Sequence, residues 1–189
     1  ERIEDAVAAE RRLKGWSRAK KEALMREEGK KFTHCLLVAQ DFSRVYRAKL
    51  VKIDKKRDIA VLCALNMERD APFLKIESGI KIREGIEVLT IGSPLGNTNM
   101  MTHGHVSNLD FRSQDKETGI RGERKVQFSA PILPGNSGGP LVSVATGNVV
   151  GQVVAIIALG GGVPTQMSYA NPVEDLLEVM RDSPPCEQR

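Results

Sequence analysis

A chain of 189 residues, 41% hydrophobic with eight aromatics, is long enough to bury a real core and suits one medium domain or two small barrels sharing an interface. Its longest apolar run, 149–159, is interrupted by Gly151-Gln152 and is too short to span a bilayer as a helix. The formal net charge of +4 is concentrated in residues 1–31, where ten Lys/Arg face seven Asp/Glu, a mixed-sign solvated surface rather than the basic, aromatic-interleaved stripe of a nucleic-acid binder.

Residues 1–28 are strong helix formers with apolar positions at Ile3, Val7, Leu13, Trp16 and Leu24, and Glu27-Glu28-Gly29 reads as the helix end, so a helical segment over 1–31 is expected. The chain opens on Glu1 with charged residues and no apolar signal-peptide core, so a leading segment is expected to have been removed. The pattern then changes to strands, at 33–38 and 45–53, with turns at 40–43 and 54–57. The apolar run 58–65 reads as a buried strand with one carboxylate, Asp58, at its mouth. That carboxylate either waits for a partner or simply opens the strand from a turn.

Cys35, Cys63 and Cys186 follow no regular spacing and are not read as a disulfide framework; Cys63, inside the apolar run, is read as a buried small hydrophobe. His34, His103 and His105 form no ligand pattern with them, so no metal is assigned. Residues 88–96 and 101–107 are glycine-punctuated strand and turn, 112–124 a charged loop, and 126–131 an approach to Pro134-Gly135-Asn136-Ser137-Gly138-Gly139-Pro140-Leu141.

That octapeptide has the makings of a nucleophile's address. A serine hydroxyl attacks only when a base takes its proton and backbone N–H groups receive the charge that develops on the carbonyl oxygen. Gly135 can take a positive φ, and Gly138-Gly139 admits a substrate or strand close to the backbone. The alternative is an ordinary tight loop between strands, since Pro-Gly and Asn-Ser-Gly are common turn formers. Beyond it, 141–143 and 149–157 read as paired strands across a turn at 145–148, Gly160-Gly161-Gly162 as a loop, and Ser183-Pro184-Pro185 as a helix breaker.

With its apolar flanks Ile132-Leu133 and Leu141-Val142, the octapeptide resembles the nucleophile loop of chymotrypsin-fold serine proteases. The run 46–62 resembles the segment leading to the triad aspartate in the HtrA/Deg group of trypsin-like proteases, and Asp58 matches that aspartate. Residues 88–107 are similar to the first strands of the group's second barrel, 167–173 to its last strand and 173–180 to the closing helix after it, so the resemblance covers about 33–180. It implies a mainly β, chymotrypsin-like double β-barrel with an N-terminal and a short C-terminal helix, the protease domain over 32–182 and a tail over 183–189.

The resemblance further implies a serine endopeptidase that needs no cofactor and acts on a peptide or unfolded protein. Ser137 would be its nucleophile, Asp58 the orienter of a histidine, and the N–H groups of Gly135 and Ser137 its oxyanion hole. A pocket walled by Val, Ile, Ala and Tyr would favour a small or medium apolar side chain before the cleaved bond. The group's address, often extracytoplasmic, is implied only by resemblance, and the PDZ modules that commonly follow in the group are not expected within these 189 residues.

The histidine is the difficulty. The one histidine before Asp58 is His34, but the resemblance aligns 34–38 with the strand after the catalytic histidine, and His34 follows a charged helix. The base is therefore either His34 or a residue upstream of Glu1, or the chain is a catalytically incomplete fragment or pseudoprotease that binds peptides or a partner. Either way the first barrel is expected to be incomplete, its strand edges covered by the helix, a partner in an oligomer or a missing segment. His103 and His105 are read as structural or surface residues.

Overall fold

The computed structural model describes residues 34–38, 45–65, 67–68, 71–76, 82–92, 100–114, 121–159 and 163–186, which fall into two compact units. The helical segment expected over 1–31 and the loop at 160–162 lie outside the described residues.

One unit holds a three-stranded sheet in the order β1(His34–Val38), β2(Val45–Asp54), β3(Ile59–Leu65). β1 and β2 run antiparallel, with His34 opposite Lys49 and Val38 opposite Val45. Among the described residues this sheet does not close, in keeping with an incomplete first barrel. Asp54 ends β2, and its Oδ1 accepts the N–H groups of Lys56 and Arg57 at 3.0 Å each, the local bond that makes aspartate a turn former.

In the other unit six strands close on themselves: β4(Glu87–Gly92), β5(Met100–Gln114), β6(Arg121–Phe128), β9(Val163–Pro172), β8(Val149–Leu159) and β7(Pro140–Ser143), with β7 returning to β4. Closure leaves this sheet no free edge and makes one side of every strand an interior. The two-residue period of a strand sorts the side chains accordingly. On β5, Gly104 and Val106 face in while His103, His105 and Ser107 are exposed. Val88, Val126, Phe128, Leu141, Val150 and Val153 are at the centre of the resulting core, each 1% exposed or less.

Where a charged loop was expected over 112–124, β5 instead runs on to Gln114 and β6 begins at Arg121, with Arg112 opposite Arg124. The backbone makes the ladder, so charged side chains do not prevent a hairpin; they only remove the apolar alternation that announces one. β9 likewise starts at Val163, ahead of the expected 167.

The helix α1(Val173–Arg181) follows β9 directly and rests against β8 and β9. It buries Val173, Leu176 and Val179 on one stripe, carries Glu174 and Asp175 at its positive end and Arg181 at its negative end. The backbone N–H of Asp182 bonds the Glu178 carbonyl at 3.1 Å, and Ser183-Pro184-Pro185 ends the helix there.

Beyond α1, Cys186 is disulfide-bonded to Cys63 of β3, their Cα atoms 5.4 Å apart across a sequence separation of 123. The three cysteines, not read as a disulfide framework, thus hold a single bond among the described residues, and the reading of Cys63 as a plain small hydrophobe is corrected. Cys63 is buried, 4% exposed, as expected of its apolar run, but as half of a cystine. A cross-link of such a long loop removes a large share of the unfolded chain's freedom, typically about 2–5 kcal/mol of stabilisation. Cys186→Ser is expected to lower the unfolding free energy by that order, seen as a lower urea midpoint. Reductant should lower the wild-type midpoint and leave the variant's unchanged; a variant as stable as the parent would refute the contribution.

Candidate active site

The serine loop joins β6 to β7 through two overlapping turns. The Asn136 N–H donates to the Leu133 carbonyl at 3.0 Å, and the Gly139 N–H to the Asn136 carbonyl at 2.9 Å. Each turn places a glycine third, Gly135 at φ 115° and Gly138 at φ 88°, the positive φ that a type II turn requires there. Ser137 is the second residue of the second turn, exposed at its apex, whereas Asn136, the residue shared by both turns, is 1% exposed.

β8 holds the loop from beside it. The Gly138 N–H donates to the Val153 carbonyl at 2.7 Å, and the Val153 N–H returns to the Gly139 carbonyl at 2.9 Å. With the N–H groups of Asn136, Gly138 and Gly139 engaged, those of Gly135 and Ser137 reach no backbone carbonyl among the described residues. The Ser137 hydroxyl donates to the Val154 carbonyl at 3.0 Å.

Asp58 belongs to the same compact unit as Ser137 and is exposed at the end of the β2–β3 turn, with φ 61°. It is the one non-glycine among the described residues with a positive φ, a conformation that costs an L-residue about 1–2 kcal/mol. No hydrogen bond joins it to Ser137. Its carboxylate instead acts on Lys125 of β6. Burial pushes the Lys125 ammonium down, and the charges of Asp175, Glu123 and Asp58 oppose that shift. Lys125 Nζ donates to Asn171 Oδ1, and Asn171 Nδ2 to Gln152 Oε1 at 3.1 Å.

The residue before Asp58 has partners that sequence reasoning missed. Arg57 Nη1 lies 3.0 Å from Asp54 Oδ2, Nη2 lies 3.0 Å from Glu178 Oε2, and Nε lies 3.7 Å from Asp175 Oδ1, an ion-pair rather than a hydrogen-bond distance. Burial works against the Arg57 charge, but the bonds to Asp54 and Glu178 and the charges of Asp175 and Glu178 outweigh it and hold its pKa up. Burial pushes the Asp175 carboxyl up against the pull of Arg57, Arg124 and Lys125. Asp54 is held below its ordinary value, chiefly by the Arg57 backbone N–H. In the sequence, residues 54–57 read only as a turn.

The histidines divide. His34 opens β1 in the other unit, opposite Lys49. His103 and His105 are exposed on β5, and His103 Nε2 sits 2.9 Å from Glu87 Oε1, which accords with a surface role. Tyr169, expected in a pocket wall, packs its ring 4.4 Å from that of Phe111, and its hydroxyl accepts a bond from Gln127 Nε2 at 3.2 Å.

The trypsin-like peptidase domain model matches residues 19–151. The chain is 36% identical over 133 residues to a probable periplasmic serine endoprotease DegP-like of Pseudomonas fluorescens, covering 70% of this chain and 26% of that protein. It is 34% identical over 152 residues to serine protease HTRA1 of Xenopus laevis, covering 79% of this chain and 31% of the relative. The chain therefore spans less than a third of the length of these curated relatives. Among solved structures, the HtrA-type protease AlgW with decapeptide is similar at a TM-score of 0.64 and 32% identity, over 78% of this chain and 43% of that one.

Gly139 and Gly138 make opposite demands on a methyl group. At Gly139 a Cβ would stand 2.7 Å from the Ile91 carbonyl oxygen and 2.9 Å from that of Asn136, both backbone atoms; at Gly138 it would meet nothing within 4 Å but would carry a φ of +88°. Gly138→Ala should cost about 1–2 kcal/mol of unfolding free energy and Gly139→Ala more, toward about 3 kcal/mol, by urea titration. The reverse order would contradict this loop geometry. The contribution of Asp54 to stability, since its folded pKa is lowered, is complete above the ordinary value of 3.8 and is lost as the pH falls below it toward the folded value. The stability gap between wild type and Asp54→Asn should therefore be open at neutral pH and close under acid; a constant gap would refute it.

Proposed function

The chain belongs to the trypsin-like peptidase family, in its HtrA group, and on that premise we propose that it is a serine endopeptidase working through an acyl-enzyme on Ser137. The observation that carries this reading is the serine loop. Ser137 is exposed at a turn apex, and of the N–H groups from Gly135 to Gly139 only those of Gly135 and Ser137 are left without a backbone carbonyl among the described residues. Such a pair suits the oxygen that turns anionic when a carbonyl is attacked.

In this mechanism Ser137 Oγ gives its proton to a base and bonds to the carbonyl carbon of the substrate, whose oxygen takes the negative charge and is met by the Gly135 and Ser137 N–H groups. Collapse expels the leaving amine, which takes back a proton, and water then releases the acid from Ser137. The base must titrate near neutral pH, which is the property of histidine, and Asp58 would orient it and stabilise its charged form. His34→Ala tests whether this chain supplies it. The substrate is a peptide or unfolded protein with a small or medium apolar side chain before the cleaved bond. The similarity to a probable periplasmic DegP-like relative favours work outside the cytoplasm, and an added segment or second copy would cover the edge of β1.

A second reading is favoured by one bond. The Ser137 hydroxyl donates to the Val154 carbonyl rather than to a base, and a serine whose proton no base takes can hold a peptide without cutting it. A fluorophosphonate separates the two, because only an activated serine displaces its fluoride. Labelling is expected on the wild-type chain and lost in Ser137→Ala, with Asp58→Asn slowing turnover on the order of 10⁴-fold, as loss of the orienting carboxylate does in the Ser-His-Asp template. A folded chain that takes no label would establish the second reading.

A further inference from the structure

We propose that Arg57 is a positioning residue for Asp58. Anchored on α1 through Glu178 and Asp175 and on its own turn through Asp54, it holds the backbone that presents the neighbouring carboxylate. The proposal rests on the reading of Asp58 as the orienter of the base.

Asp58 sits in a left-handed conformation, which aspartate tolerates better than most residues but which is still less favourable than the right-handed one, so a restraint on the turn helps to keep it. Its own side chain supplies no such restraint, because it makes no hydrogen bond or ion pair to another described residue. The restraint comes from one residue earlier. Asp54 Oδ1 fixes the N–H of Arg57, and Asp54 Oδ2 takes Arg57 Nη1, so backbone and side chain of Arg57 are tied to one carboxylate at 3.0 Å each. The opposite side of the guanidinium reaches Glu178, 121 residues further along the chain, also at 3.0 Å. The turn is thereby pinned to a helix packed on the barrel that carries Ser137.

Burial distinguishes this clamp from an ordinary surface pair. The side chains of Arg57, Asp54 and Asp175 are 23%, 20% and 17% exposed. Withdrawing the guanidinium would leave the partly buried Asp54 and Asp175 without it, together with the more exposed Glu178, a far larger loss than that of a surface ion pair. The adjacent Lys56 supplies the internal comparison. It pairs with Glu123 at 2.7 Å but is 79% exposed, so its pair adds little. Two neighbouring cations on one turn are thus assigned different roles.

The test measures the rate of fluorophosphonate labelling of Ser137 in the full chain, together with amide hydrogen exchange over residues 54–60. Arg57→Ala is expected to slow labelling on the order of 10- to 100-fold, the cost of a small misplacement of a reacting group. It should speed exchange in the turn and leave exchange in β6 and β8 unchanged. Arg57→Lys should recover part of the rate, and Lys56→Ala should leave it at the wild-type value. Because Arg57 acts through Asp58, Arg57→Ala should slow an Asp58→Asn chain no further. If Arg57→Ala does not fold, Glu178→Gln removes one arm of the clamp from the helix side and should slow labelling in the same direction.

An Asp58→Asn chain that labels slowly beside an Arg57→Ala or Glu178→Gln chain that labels normally would overturn the proposal and leave the reading of Asp58 standing. A chain that labels at the wild-type rate with Asp58→Asn, or that never labels, would overturn the reading of Asp58 and the proposal with it.

Discussion

The barrel has to close, and closure falls on its shortest strand, the four residues of β7, which pair with β4 on one side and β8 on the other. Because β7 begins immediately after Gly139, the register that closes the barrel also sets the serine loop. Pro140 lies opposite Gln152, and the reciprocal bonds among Gly138, Gly139 and Val153 carry that ladder past the strand end into the loop. The loop is therefore an extension of the sheet, and the sheet decides which of its N–H groups are consumed. Those left over are on Gly135 and Ser137, the pair proposed for the oxyanion.

The charges around α1 follow from a competition between burial and pairing. Burial alone pushes Lys125 down and Asp175 up, each toward its neutral form, and the opposite charges nearby pull both back. Arg57 is the member for which pairing wins. The consequence is geometric as well as electrostatic, since an arginine presents a planar set of donors that fixes directions, whereas a lysine presents a mobile point charge. A turn whose last residue is held in a left-handed conformation is where such direction matters.

Three contacts join segments distant in sequence: the β4–β7 pairing, the Arg57–Glu178 pair and the Cys63–Cys186 bond. Each constrains a different segment: the serine loop, the Asp58 turn and the tail beyond α1. The disulfide differs in kind, because it acts on the unfolded chain by shortening its reach, while the other two act only once the fold is made.

Much of this was legible in the residues themselves, because the information was local. Pro-Gly and Ser-Gly-Gly specify turns through φ, while the second barrel and the closing helix were expected from the family resemblance and are found as β4–β9 and α1. The hairpin through Arg112 and Arg124 was hidden because backbone pairing leaves no mark on charged side chains. The disulfide, the partners of Arg57 and the direction of the Ser137 hydroxyl toward Val154 were out of reach of the sequence. Each depends on two segments far apart in the chain meeting at a distance of a few ångströms, and no spacing within either segment encodes that meeting. Sequence by itself determined which residues could do chemistry and the elements that carry them. Tertiary structure alone decided which groups they face, because a contact between separated segments is set by the packing of the whole fold and not by either segment.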